Sequence, residues 1–202
     1  MLIGICGKSG SGKTTLAKEI LNNYKNSIHI DIDKIGHDVL KLEKVKCDLI
    51  SSFGLSILKN NEINRKKLSK IVFQSESDME ILTQITWKYM ELEIDKIINK
   101  NKDKIIILDW QLLPKTKFFN MCDKRILIDI PYSIRLKRVI LRDNIDEDKF
   151  LLRENASIDY SKYKFDLVIN DNDFKNFRKD VFIWQKYYIL VVLIQLLKDI
   201  WI

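Results

Sequence analysis

Residues 7–14 read GKSGSGKT and satisfy the pattern G-x-x-x-x-G-K-[ST] at every required place. The run lies between an apolar stretch, Leu2–Cys6, and a stretch from Lys13 to Tyr24. In the latter, Leu16, Ala17, Ile20 and Leu21 recur on one helical face. A strand, a glycine turn and a helix in that order make a nest of inward-facing N–H groups. The positive end of the helix dipole faces the same place, so the arrangement suits phosphate oxygens. Gly7, Gly10 and Gly12 permit the curl, because glycine adopts backbone angles that a side chain forbids. Lys8, Ser9, Ser11 and Thr15 complete the residues expected around the phosphates. Lys13 is placed to reach the β- and γ-phosphates of ATP or GTP, and the Thr14 hydroxyl to ligate Mg²⁺. Such a loop says what is gripped and leaves open what is done with it.

The rest of the chain alternates apolar runs with helical patterns. Short strands are expected at Ser27–Ile32, Lys104–Asp109, Arg125–Ile130 and Asp166–Ile169. Helices are expected at Lys34–Val45, Arg65–Gln74, Met79–Asn99, Ser133–Arg142 and Asp146–Asn155, and from Asp173 to about Lys198. Most of the strands are continuous apolar runs. That predicts a parallel sheet with helices on both faces, a three-layer α/β fold in a single domain of 202 residues.

Composition narrows the setting. The three cysteines, Cys6, Cys47 and Cys122, are odd in number and form no CxxC, which argues against a disulfide framework or a zinc site. Cys6, inside an apolar run, reads as a small core residue. No basic leader precedes the first strand, and the most apolar stretch, Tyr187–Leu197, spans only about half of a ~30 Å bilayer core as a helix. The expectation is a cytoplasmic protein with no membrane partner. The net charge of +7 suits a polyphosphate ligand, and no nucleic-acid motif accompanies it.

Several positions outside the loop carry two readings each. Asp31 and Asp33 end the second strand, where a carboxylate either accepts a proton from an acceptor hydroxyl or caps the following helix. Asp109 ends another strand, where it either holds Mg²⁺ through water or is a turn residue. Arg135, Arg138 and Arg142 recur at helical spacing, either to clamp a transferring phosphoryl group or as a solvated basic face. Trp110, next to Asp109, is placed to line an acceptor pocket. His29 and His37 receive no role.

Taken together these segments resemble the dephospho-CoA kinase family. The resemblance rests on Ile3–Ala17 (IGICGKSGSGKTTLA), His29–Ile35 (HIDIDKI), Phe53-Gly54, Ile63–Leu68 (INRKKL), Ile71–Phe73, Arg135–Asp143 (RLKRVILRD) and Asp166–Asp171 (DLVIND). It covers roughly residues 2–175. It implies a P-loop NTPase fold with a five-stranded parallel sheet, a lid at about 138–155 and a helical acceptor-binding subdomain within 34–100. It implies ATP as phosphoryl donor and dephospho-CoA as acceptor. By the resemblance Asp33 is the catalytic base, Lys13 and Arg138 assist transfer, and Arg142 contacts the ATP phosphates from the lid. Mg²⁺ would be held by Thr14 with help from Asp31 or Asp109. The chain departs from the family pattern at Thr86-Trp87, where a His-Pro pair is usual, and at Gln111–Lys115 (QLLPK). Both segments bear on the acceptor. A nucleoside or nucleotide kinase of the same fold is the alternative, and a nucleotide-dependent binding module without turnover a second. The expected state is a monomer or small homo-oligomer.

Overall fold

A computed structural model describes residues 1–170. The chain divides into two compact units, one made of Met1–Ile30 with the chain from Lys102 onward, the other of Asp31–Asn101.

The first unit is built on a five-stranded sheet. Strands β1 (Leu2–Cys6), β2 (Ser27–Asp31), β5 (Ile105–Asp109), β6 (Lys124–Asp129) and β7 (Leu167–Asn170) lie in the order β2-β5-β1-β6-β7. The pairs β1–β5, β1–β6 and β6–β7 run parallel, with Ile3 opposite Ile107 on one side and Lys124 on the other. All five residues of β1 are buried, as a central parallel strand requires.

Alternation along β1 divides the core into two layers. Ile3 and Ile5 face helix α1 (Lys13–Asn23), where Leu16, Ala17 and Ile20 meet Ile107, Ile126, Ile128 and Ile169. Each buried Leu or Ile side chain here contributes about 1.5–3 kcal/mol. Gly4 points to the opposite face. A Cβ there would lie 2.9 Å from both Cys122 Sγ and Leu113 Cδ2, so glycine is what lets the second layer close on the strand. That layer includes Phe118 and Phe119 of the short helix α6 (Lys117–Met121). Burial pushes the thiols of Cys6 and Cys122 up, that of Cys122 to about 12, so both are inert core groups.

The second unit is helical. It holds α2 (Ile32–Val39), α3 (Glu43–Phe53), a two-stranded hairpin of β3 (Leu58–Lys59) and β4 (Glu62–Ile63), α4 (Arg65–Val72) and α5 (Glu76–Lys100). Thr86, Met90 and Ile94 form the buried stripe of α5, and Gly36 of α2 lies beside the end of the Met90 side chain.

The expected helix Lys34–Val45 is corrected here. It stops at Val39, the peptide N–H groups of Lys41 and Leu42 turn back to Asp38 and Val39, and a new helix starts at Glu43. No glycine or proline marks this break. The new helix buries Val45 and Leu49. The hairpin was also unforeseen, although its Asn60-Asn61 turn, with φ of 53° and 61°, is the type of pair that favours a tight hairpin. Among the described residues the first unit also holds α7 (Tyr132–Asp143) and α8 (Glu147–Asn155). The helix expected from Asp173, with Trp184 and Trp201, lies outside the described residues.

Candidate active site

The glycine loop emerges at the carboxyl end of central strand β1, the edge of a parallel sheet where ligands bind. Gly7, Gly10 and Gly12 have φ of 152°, 78° and 107°. At Gly10 a Cβ would meet Val139 Cγ2 at 2.7 Å and the Arg135 carbonyl oxygen at 2.9 Å, so both sterics and dihedral demand glycine. The Ser11 N–H donates to the Lys8 carbonyl at 3.1 Å and tightens the turn. Helix α1 begins at Lys13 with no side-chain cap and no acidic residue in its first turn. Its free N–H groups are therefore not occupied by the protein's own carboxylates, as an anion site needs. Ser11 Oγ is fully buried without a hydrogen-bond partner. These features fit nucleotide phosphates.

Thr14 Oγ1 donates to Asp109 Oδ2 at 2.8 Å. This joins the end of the loop to the end of β5. His29 Nε2 lies 3.3 Å from the same oxygen, and Asp109 is only 4% exposed. Hydroxyl and carboxylate oxygens side by side are the hard donors that Mg²⁺ takes, one or two from protein and the rest from phosphate and water. Among the described residues no cluster of three or more His, Cys, Asp or Glu could hold a metal by itself. His29 had no signal in the sequence beyond its strand position.

The three arginines of α7 separate into distinct roles. Arg135 is 3% exposed, donates through Nε to the Ile130 carbonyl at 2.7 Å and forms a bidentate pair with Glu154 at 2.7 and 2.9 Å. Arg138 directs Nη1 at the Gly10 and Ser11 carbonyls, at 3.4 and 3.5 Å. Arg142 is exposed and pairs with Asp143 at 2.7 Å; Arg153 of α8 pairs with the same carboxylate. The hydrogen bond from Arg142, aided by Arg153, holds the Asp143 carboxyl down at about 2.

Glu154 also pairs with Lys8 of the loop at 2.7 Å. The hydrogen bond from Arg135, then that from Lys8, holds the Glu154 carboxyl below the usual range against the opposing effect of burial. The Tyr160 hydroxyl accepts from the Gly7 N–H at 3.1 Å and donates to the Gln111 carbonyl at 2.9 Å. Sequence reasoning missed both Glu154 and Tyr160, since neither belongs to a motif.

In the helical unit, Asp31 caps α2, its Oδ1 accepting from the Lys34 N–H at 3.1 Å. Asp33 stands exposed in the first turn of the same helix. The Arg65 guanidinium donates to His37 Nε2 at 2.8 Å. Trp110 is buried, and its N–H donates to the Ile5 carbonyl, extending the sheet ladder by one bond.

The family model described as dephospho-CoA kinase matches residues 1–176. A dephospho-CoA kinase of Fusobacterium nucleatum is 34% identical over 175 residues, covering 85% of this chain and 90% of that one. One from Borreliella burgdorferi is 29% identical over 189 residues, covering 90% and 91%. The solved dephospho-CoA kinase of Campylobacter jejuni superposes with a TM-score of 0.57 at 26% identity, over 89% of this chain and 92% of that one. The solved structure of TT1252 from Thermus thermophilus reaches a TM-score of 0.73 at 20% identity, over 84% and 87%, a likeness in fold. Parallel sheet, glycine loop and flanking helices define a P-loop kinase fold. Within that class the sequence match extends from the first strand to beyond the last. The chain belongs to the dephospho-CoA kinase family.

Proposed function

We propose that the protein transfers the γ-phosphoryl group of ATP to the ribose 3′-hydroxyl of dephospho-CoA, giving coenzyme A and ADP. The observation that carries this reading is the glycine loop with its Thr14–Asp109 contact, in a chain matched to the dephospho-CoA kinase family over residues 1–176. The loop N–H groups and Lys13 hold the β- and γ-phosphates. Thr14 and Asp109 would hold Mg²⁺, which when bound neutralises charge between those phosphates. Asp33, exposed in the first turn of α2, is assigned as the base on the family resemblance. The 3′-oxygen attacks the γ-phosphorus, the bond from phosphorus to the bridging β-γ oxygen breaks, and the hydroxyl proton passes to the Asp33 carboxylate. Arg138, its guanidinium against the loop carbonyls of Gly10 and Ser11, supplies positive charge where charge builds up. Arg142, on the last turn of α7, is assigned to the ATP phosphates from the lid, exchanging Asp143 for a phosphate oxygen.

The test is ADP production from Mg-ATP with and without dephospho-CoA, beside a panel of nucleosides and nucleoside monophosphates. Stimulation by dephospho-CoA alone is expected. Stimulation by a nucleoside instead would move the acceptor, and Thr86 and Gln111 would be the residues to exchange first. No helix among the described residues is long and apolar enough to cross a membrane.

A further inference from the structure

We propose that Tyr160 and Glu154 are positioning residues for the phosphate loop, holding its first turn in the shape that receives ATP. The inference rests on the reading that this loop grips ATP.

Three consecutive loop residues are held from one side. The Gly7 N–H donates to the Tyr160 hydroxyl, Lys8 Nζ pairs with Glu154, and the Ser9 carbonyl accepts from Arg135 Nη1 at 3.3 Å. Arg135 and Lys8 meet on the same Glu154 carboxylate, whose side chain is 16% exposed. Glu154 lies in the last turn of α8 and Tyr160 five residues beyond its end, so one short segment supplies both holds.

The loop needs such holds. Glycines lose more backbone freedom on ordering than other residues, and left-handed dihedrals persist where surrounding contacts over-determine them. Tyr160 does more than tether Gly7. Its proton goes to the Gln111 carbonyl, two residues beyond Asp109. One hydroxyl therefore spans the loop that holds phosphate and the strand exit that carries Asp109. Burial pushes the Tyr160 phenol well up, so it keeps the proton this bridge requires. Because the Gly7 N–H is taken by Tyr160, the nest is formed by the N–H groups that follow it.

Neither residue is placed to touch the transferring phosphoryl group, so the effect should fall on ATP binding and spare the acceptor. The full-length wild type, Tyr160→Phe and Glu154→Gln are compared by equilibrium dialysis of ATP with Mg²⁺, and by separate KM values for ATP and dephospho-CoA. Tyr160→Phe leaves the Gly7 N–H and the Gln111 carbonyl without their partner, and the ATP Kd is expected to rise about tenfold. The KM for ATP should rise in step, with that for dephospho-CoA within about twofold. Glu154→Gln keeps the shape but loses the charge shared by Lys8 and Arg135, and should weaken ATP by about three- to tenfold. An ATP Kd within about twofold of wild type in either folded variant overturns the proposal, as do equal rises in both KM values. If Tyr160→Phe does not fold by circular dichroism, the dialysis of Glu154→Gln decides. Absence of ATP binding by the wild type overturns the functional reading itself, and the proposal with it.

Discussion

Thr14 and Asp109 are 95 positions apart in the chain, yet Thr14 Oγ1 donates to Asp109 Oδ2 at 2.8 Å. The register of β1 beside β5, with Ile5 opposite Asp109, brings the carboxylate to the mouth of the loop. Asp109→Asn keeps an oxygen that can accept from Thr14 but removes the charge that attracts a cation. The expected result is a kcat lowered by about 10–100-fold and a raised Mg²⁺ requirement, on the scale of lost supporting metal contacts. A magnesium titration of ADP production checks it, and an unchanged midpoint would exclude Asp109 from the metal site.

Asp33→Asn should depress transfer by about 10²–10⁴-fold, the usual contribution of a positioned proton acceptor. ATP binding by dialysis should remain at the wild-type value, because the loop belongs to the other compact unit. Full turnover in this variant would remove the base assignment.

Gly10 and Gly36 offer a paired stability test. Gly10→Ala forces a side chain onto a φ of 78° and against Val139 and the Arg135 backbone. A loss of about 1–3 kcal/mol is expected by urea denaturation, together with loss of ATP binding. Gly36→Ala, inside α2, meets only the flexible end of Met90 at 3.4 Å. It should be neutral or stabilise by up to about 1 kcal/mol.

Asp143 links the stability of the α7–α8 pairing to acid. Its carboxyl is held down at about 2, below the ordinary 3.8, by the hydrogen bond from Arg142 and then that from Arg153. A depressed folded-state value means the stabilisation is fully present above about pH 4 and disappears as pH falls through about 2. Melting curves of wild type and Asp143→Asn should therefore differ near neutrality and converge between about pH 4 and 2. A gap that stays constant down to pH 2 would show that Asp143 adds nothing through its charge.

How far the sequence could be read depends on how local each feature is. The loop from Gly7 to Thr14 was legible because strand, glycines and helix follow one another, and the backbone geometry they need is set by adjacent residues. Most strands of the sheet were legible as apolar runs, as for β1, which is buried along its whole length. The α2–α3 break was not legible, because nothing at Leu40–Leu42 forbids a continuous helix. The break is closed by the Lys41 and Leu42 N–H groups on the Asp38 and Val39 carbonyls, a turn with no glycine or proline to announce it.

The sequence by itself therefore determined the phosphate-binding loop, the strands of the parallel sheet and the family, because each is written in contiguous residues. Tertiary structure alone decided which distant groups complete the site. His29 reaches Asp109 across 80 positions, Glu154 reaches Lys8 across 146, and Tyr160 reaches Gly7 across 153. It also divided the arginines of α7, burying Arg135 against Glu154 and leaving Arg142 beside Asp143. Helical spacing places all three near one face, but only the packing of α8 distinguishes them. A charged side chain takes its role from the partner that the fold brings within hydrogen-bond distance, and that partner has no fixed offset in sequence.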